Sequence, residues 1–245
     1  MNIKALFKAC SKCIESYPEG MLELSPEEYP IEGKGFFPVV SGSFYSECLM
    51  EEITPRKFRL MFVGQDWGCK KDLEDLKKTE TDIINYDISS ATGKNLKELL
   101  GKIPIPLEYC FFTNVIFGVR DRETNTGNSP AWENKDFRKK CEEALRKQIE
   151  VIKPEGIVCL GLVAPRILKE LIPECGKWAD RKFETIDKNG DSVLYPITHP
   201  TIKIAAILLH PSFRAVNLRR RKYKEFEKEK AEIEILKYVR KIVLE

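Results

Sequence analysis

Four short apolar runs, at residues 58–63, 109–116, 156–160 and 204–209, constrain this chain more than any other feature. Each is rich in Val, Ile, Leu or Phe and lacks clean alternation with polar residues, the pattern of strands covered on both faces. Helical patterns lie between them. Residues 92–100 are amphipathic, and 133–152 place Phe137, Cys141, Leu145, Ile149 and Ile152 on one side. Residues 163–171 carry Pro165 in the first turn, where proline is tolerated. Residues 217–244 read as one long, charged helix. Near the N-terminus, Ile3, Leu6, Phe7, Cys10 and Ile14 share a helical face, ended by Pro18 and Gly20; a lead-in loop over 21–43 follows. Strands alternating with helices predict an α/β fold, a three-layer α/β/α sandwich with a central four-stranded parallel sheet, in one domain over residues 1–245.

Composition narrows the functional classes. The 13 Phe, 8 Tyr and 3 Trp in 245 residues exclude a chain disordered over most of its length. A net charge of +3 neither demands nor excludes a nucleic-acid partner, so the placement of charge has to decide. No run of roughly 18 apolar residues is present, and the N-terminus lacks an export signal, so a cytoplasmic protein without a membrane partner is expected. In that setting the 8 Cys are free thiols or metal ligands rather than a disulfide framework.

Ligands of open parallel sheets bind at the loops leaving the strand C-termini. The first such loop is Gly64-Gln65-Asp66-Trp67-Gly68. Its carboxylate stands at the mouth of the expected cleft, although alone it is equally explained as a turn cap. The second strand runs into Thr113-Asn114, whose amide offers a donor and an acceptor side by side, matching an imide-like base edge or satisfying loop backbone. The fourth ends in Leu209-His210-Pro211-Ser212. A histidine there can donate to developing negative charge. Arg214, Arg219, Arg220, Arg221 and Lys222 follow, a basic cluster that suits phosphates or a solvated helix start.

Taken together and in this order, these segments resemble the uracil-DNA glycosylase superfamily. The matching stretches are residues 60–68, 112–115, 157–161 with Ala164, and 210–212. The loop Gly127-Asn128-Ser129-Pro130 and the helix end Ile152-Lys153-Pro154 look most like its iron–sulfur branch. The resemblance implies an enzyme that flips a uracil, or a related deaminated base, out of DNA and hydrolyses its N-glycosidic bond. Asp66 then matches the residue that orients water and stabilises the cationic sugar. Asn114 matches the reader of the uracil edge, and His210 the donor to O2 of the leaving base. The Gln65 backbone touches the base, Ser212 and Arg219 hold phosphates, and Phe213 and Arg214 fall at the wedge position. A monomer acting on DNA is implied.

The chain also departs from the family pattern. The expected stacking aromatic falls near Ile88, so Tyr86 or Trp67 is left to stack on the base. Trp67-Gly68 stands where the most uracil-specific relatives carry a thymine-excluding Tyr. Cys10, Cys13 and Cys141 match three ligands of a [4Fe–4S] cluster, but the fourth position is Gly118, so Cys48, Cys69 or Cys110 would have to be recruited. The set is incomplete and no cofactor is expected; the three thiols are equally read as small core residues. His199-Pro200 precedes the fourth strand and should lie at the opposite end of the sheet. Two further readings stand beside the glycosylase: a non-catalytic DNA- or nucleotide-binding protein on the same fold, and a hydrolase of nucleosides or nucleotides.

Overall fold

The structure is a computed structural model that describes residues 1, 3–23, 58–72, 74, 91–125 and 127–245. Tyr86, Ile88 and Cys48 lie outside the described residues. The elements run α1 (Ile3–Ser11), β1 (Met21–Leu22), β2 (Leu60–Gly64), α2 (Ala91–Gly101), β3 (Cys110–Asn114), β4 (Val119–Arg120) and α3 (Lys135–Ile152). They continue with β5 (Gly156–Leu160), α4 (Pro165–Leu168), α5 (Phe183–Lys188), β6 (Val193–Leu194), β7 (Ile204–Leu208), α6 (Arg214–Asn217), β8 (Lys222–Tyr223), β9 (Phe226–Glu227) and α7 (Lys228–Leu244).

The central sheet has the order β3-β2-β5-β7-β6. Its first four strands are parallel and correspond to the four apolar runs. The fifth, β6, pairs antiparallel with β7 and was not expected; two residues are too few to leave a periodic signal. Every residue of β2, β3, β5 and β7 is buried. Successive side chains point to opposite faces. Met61, Val63, Phe111, Ile157 and Ile207 therefore join a core shared with α1 and α3. Leu60, Phe62, Phe112, Val158 and Leu208 join a second core with α2 and α7. Helix, sheet and helix make the three layers, and all four parallel strands end on the same edge. Among the described residues no helix is long and apolar enough to cross a membrane.

Local chemistry sets the helix bounds. Helix α3 starts at Lys135 because the Asn134 side chain accepts the Phe137 N–H at 2.8 Å. It stops where Lys153 turns left-handed, with Pro154 next. Helix α4 is only four residues long, shorter than the expected 163–171.

The largest correction concerns the C-terminal stretch. The single helix expected over 217–244 is broken into α6, a 3-10 turn at Leu218–Arg220, the β8–β9 hairpin and α7. Two arginines cause the break by turning inward. Arg221 is 1 % exposed and reaches Asp187, Ser192 Oγ at 3.2 Å and the Ile207 carbonyl at 2.5 Å. Arg214 donates to Glu232 Oε2 at 2.9 Å and to Glu229 at 3.0 Å. Glu232, fully buried on α7, also accepts the Leu209 N–H at 2.7 Å and lies 3.6 Å from Arg221.

Glu232→Ala would leave two buried guanidinium groups short of a counter-charge. A loss of about 3–5 kcal/mol is expected, read as a lower midpoint in urea. Glu232→Gln, which keeps some of the hydrogen bonds, should lose less.

Candidate active site

Four loops meet above the C-terminal edge of the parallel strands. Gly64 and Asn114 are register partners at the ends of β2 and β3. Their loops are laced by Val115 N–H to the Gly64 carbonyl at 3.0 Å and Ile116 N–H to the Gln65 carbonyl at 2.9 Å. A side chain at Gly64 would collide with Asn114 Oδ1, so glycine is what lets the amide lie across the strand end. Asn114 is 3 % exposed, and its Nδ2 has no hydrogen-bond partner. A buried, unpaired amide donor at a strand end suits a ligand carbonyl, because such donors are costly to leave unmet.

Asp66 leaves β2 two residues after Gly64. Its Oδ1 accepts the Gly68 N–H at 3.3 Å, so the turn-cap reading holds as well. Oδ2 accepts Arg120 Nε and Nη2, both at 2.8 Å, and Gln65 Nε2 at 3.2 Å. Burial pushes the carboxyl above its ordinary value, opposed by the Arg120 charge and the hydrogen bonds from Arg120, Gly68 and Gln65. Arg120 also donates Nη1 to the carbonyls of Asn125 at 2.9 Å and Gly127 at 3.0 Å. Sequence reading passes over it, because an arginine beyond the Asn114 strand carries no motif. The only hint was an ionisable residue close behind an apolar run.

His210 follows β7 and opens a 3-10 turn at Pro211–Phe213. Its Nδ1 accepts the Ser212 N–H at 3.4 Å and lies 2.7 Å from Ser212 Oγ. With Nδ1 accepting, the neutral ring carries its proton on Nε2. Two bonds flanking His210 hold the loop: Leu209 N–H to Glu232, and Asn95 Nδ2 of α2 to the Pro211 carbonyl at 2.8 Å. The ring backs onto Gly161, the residue after β5, whose left-handed φ of 89° and missing side chain admit it. Burial, followed by the Arg120 charge, lowers the imidazole to about 4. His199 lies in the loop before β7, at the other end of the sheet, where its Nδ1 caps Thr201 and Ile202 at 3.2 Å.

Other expected site residues fall elsewhere. Trp67 is buried in the apolar cluster beside α1 and α3, so it is a core residue rather than an open stacking platform. Arg214 is 6 % exposed and ion-paired inside, which removes it from the wedge and from phosphate contact. Ser212, Arg219 and Arg220 are exposed on the loop and helix beyond His210. Phe213 lies in the same 3-10 turn.

The three cysteines do not fit a cluster. Cys10 Sγ donates to the Ala144 carbonyl at 3.4 Å, Cys13 Sγ to that of Ala9 at 3.6 Å, and Cys141 Sγ accepts the Phe117 N–H at 3.4 Å. Burial pushes the Cys10 and Cys141 thiols up to about 12. Tyr17 Cε1 and Met21 Cε lie 3.0 and 3.1 Å from where a Cβ at Gly118 would stand, so the fourth corner is filled. Among the described residues no three His, Cys, Asp or Glu side chains could hold a metal ion.

Comparison with known proteins bears on this arrangement. Residues 51–234 match the profile of the uracil DNA glycosylase superfamily. The chain belongs to that superfamily. It is 30 % identical over 169 residues to a type-4 uracil-DNA glycosylase of Archaeoglobus fulgidus, covering 64 % of this chain and 71 % of that protein. DNA glycosylase chemistry at the level of the family follows, on a fold the family shares.

The lowered imidazole makes a stability prediction for this superfamily member. The unfolded chain protonates His210 as pH falls through 6.5, whereas the folded chain resists until about 4. The stability tied to neutral His210 is complete above pH 6.5 and is lost as pH falls to about 4. Between those limits wild type should lose up to about 3 kcal/mol more than His210→Gln, measured by urea unfolding at each pH.

Proposed function

We propose that the protein is a monofunctional DNA glycosylase that hydrolyses the N-glycosidic bond of uracil, or a related deaminated base, in DNA. The observation that carries the reading is the meeting of a buried carboxylate, an unpaired buried amide donor and a neutral imidazole at one strand edge. In this reading the target base is flipped into the cleft. Asn114 donates Nδ2–H to the base O4 and accepts N3–H through Oδ1. His210 donates Nε2–H to O2. As the C1′–N1 bond breaks, its electron pair leaves with the base, and the hydrogen bond to O2 strengthens as that oxygen becomes anionic. The sugar turns cationic. Asp66 faces that cation, orients a water for attack at C1′ and takes the water's proton. The products are the free base and an abasic site; no lysine is positioned by motif to open the strand through a Schiff base.

Arg219, Ser212 and Phe213 are assigned to the DNA backbone and the vacated stack, since they share the segment beyond His210. Tyr86 is assigned to stacking on the base. The protein is read as a monomer.

The first test is cleavage of labelled oligonucleotides carrying uracil, hypoxanthine, xanthine or a thymine mismatch, followed by hot alkali. Asp66→Asn and His210→Ala should each cut turnover by roughly 10²–10⁴-fold while retaining salt-sensitive DNA binding. No cleavage of any base with binding retained would sink the glycosylase and leave a non-catalytic DNA-recognition protein. Binding of nucleosides that ignores salt would point instead to a small-molecule hydrolase.

Gly64→Ala tests base reading separately. The added methyl displaces the Asn114 amide. About tenfold or more should be lost in kcat/KM, with unmodified-DNA affinity unchanged.

A further inference from the structure

The residue that the family resemblance does not account for is Arg120. It is 4 % exposed, and every arm of its guanidinium is used: Nε and Nη2 on Asp66 Oδ2, Nη1 on the carbonyls of Asn125 and Gly127. Its own backbone N–H bonds the Gly68 carbonyl at 3.0 Å. A buried ion pair is a poor way to gain stability, because desolvating two charges costs several kcal/mol. A carboxylate offers about four acceptor directions. Arg120 and Gln65 saturate Oδ2, while Oδ1 takes the Gly68 N–H and keeps a direction for a water.

We propose that Arg120 is a positioning residue of the reaction: its donors on Oδ2 hold the Asp66 carboxylate charged and leave Oδ1 turned toward the water. This rests on the glycosylase reading. Two guanidinium donors, Nε and Nη2, meet on the one oxygen Oδ2 and hold it in place from a fixed direction, which a single point charge would not. Burial and, after it, the same cation disfavour a positive charge on His210. Other charged groups near the pair are Asp72, which accepts from Cys69 N–H and Asn125, the surface pair Lys70–Asp121, and Arg122 beside Gly127.

The experiment compares wild type, Arg120→Gln and Arg120→Lys by NMR titration and by pH–rate profile. The chain has two histidines, so His199 serves as the internal control. In Arg120→Gln the His210 titration should move up from about 4, with His199 unchanged. The acid limb of kcat/KM on uracil DNA should move to higher pH in step, so the loss of activity shrinks in alkaline buffer. Arg120→Lys keeps the charge and should restore the His210 titration and most of the acid limb, with a residual loss in kcat from the missing fork. A folded Arg120→Gln whose acid limb stays in place overturns the proposal. So does a loss equal at every pH with Lys no better than Gln, which marks a merely structural clamp. If wild type cleaves no base, the glycosylase reading falls and the catalytic role of Arg120 falls with it; the histidine titration still reports whether the Arg120 charge governs His210.

Discussion

Glu232 is the interaction on which the working edge of this protein depends. It is a carboxylate with no exposure to water, placed on the last helix, far in sequence from every motif. A lone charge so buried would be intolerable; it persists because Arg214, Arg221 and the Leu209 N–H converge on it. The consequence is geometric. The residue before His210 is bonded to α7, and the chain after it is drawn inward twice, so the His210 loop cannot swing without unmaking buried ion pairs. Asn95 fixes the same loop from the opposite helix. A site on a loop gains the rigidity of the sheet when both ends are tied to buried charges.

Charge at the site itself is balanced in the resting state. Asp66 and Arg120 cancel, and His210 is neutral. Such a cleft carries little net field until a reaction separates charge within it. A glycosidic bond breaking heterolytically does so: cation on the sugar, anion on the base. In the proposed reaction Asp66 and His210 would meet those charges, and both are already held by hydrogen bonds before the charges develop. The Arg120 guanidinium opposes the rise that burial imposes on the Asp66 carboxyl.

The framework was legible because two-sided burial writes itself into sequence as unbroken apolar runs, and the amphipathic face of α3 is equally plain. Gly64, Asp66 and His210 stand out because each follows such a run, and Asn114 because it is the amide inside one. What stayed hidden is long-range. A charge run beyond His210 reads as solvated, and only the folded chain reveals that Arg214 and Arg221 have carboxylates waiting on α5 and α7. Trp67 was read as a platform because it sits beside Asp66; the turn at Gly68, with φ of 84°, sends it into the core instead. Arg120 was missed for the converse reason: a strand of two residues leaves no pattern.

The cysteines show how one structural problem admits two solutions. Helix α1 has to be tied to α3 and to the loop after β3, where the resemblance would place a cluster. Here the ligand position at Gly118 is empty of sulfur and crowded by Tyr17 and Met21. Phe7 meets Phe117 at 5.3 Å and Tyr17 meets Phe137 at 5.4 Å, ring to ring. Each such pair contributes about 0.5–1.5 kcal/mol beyond its buried area. Cys10 and Cys141 then behave as small apolar residues whose sulfurs bond backbone. Aromatic contacts join the hydrogen bonds and ion pairs that tie helix, sheet edge and the Arg120 loop, and Gly118 is the residue that leaves room for Tyr17 and Met21.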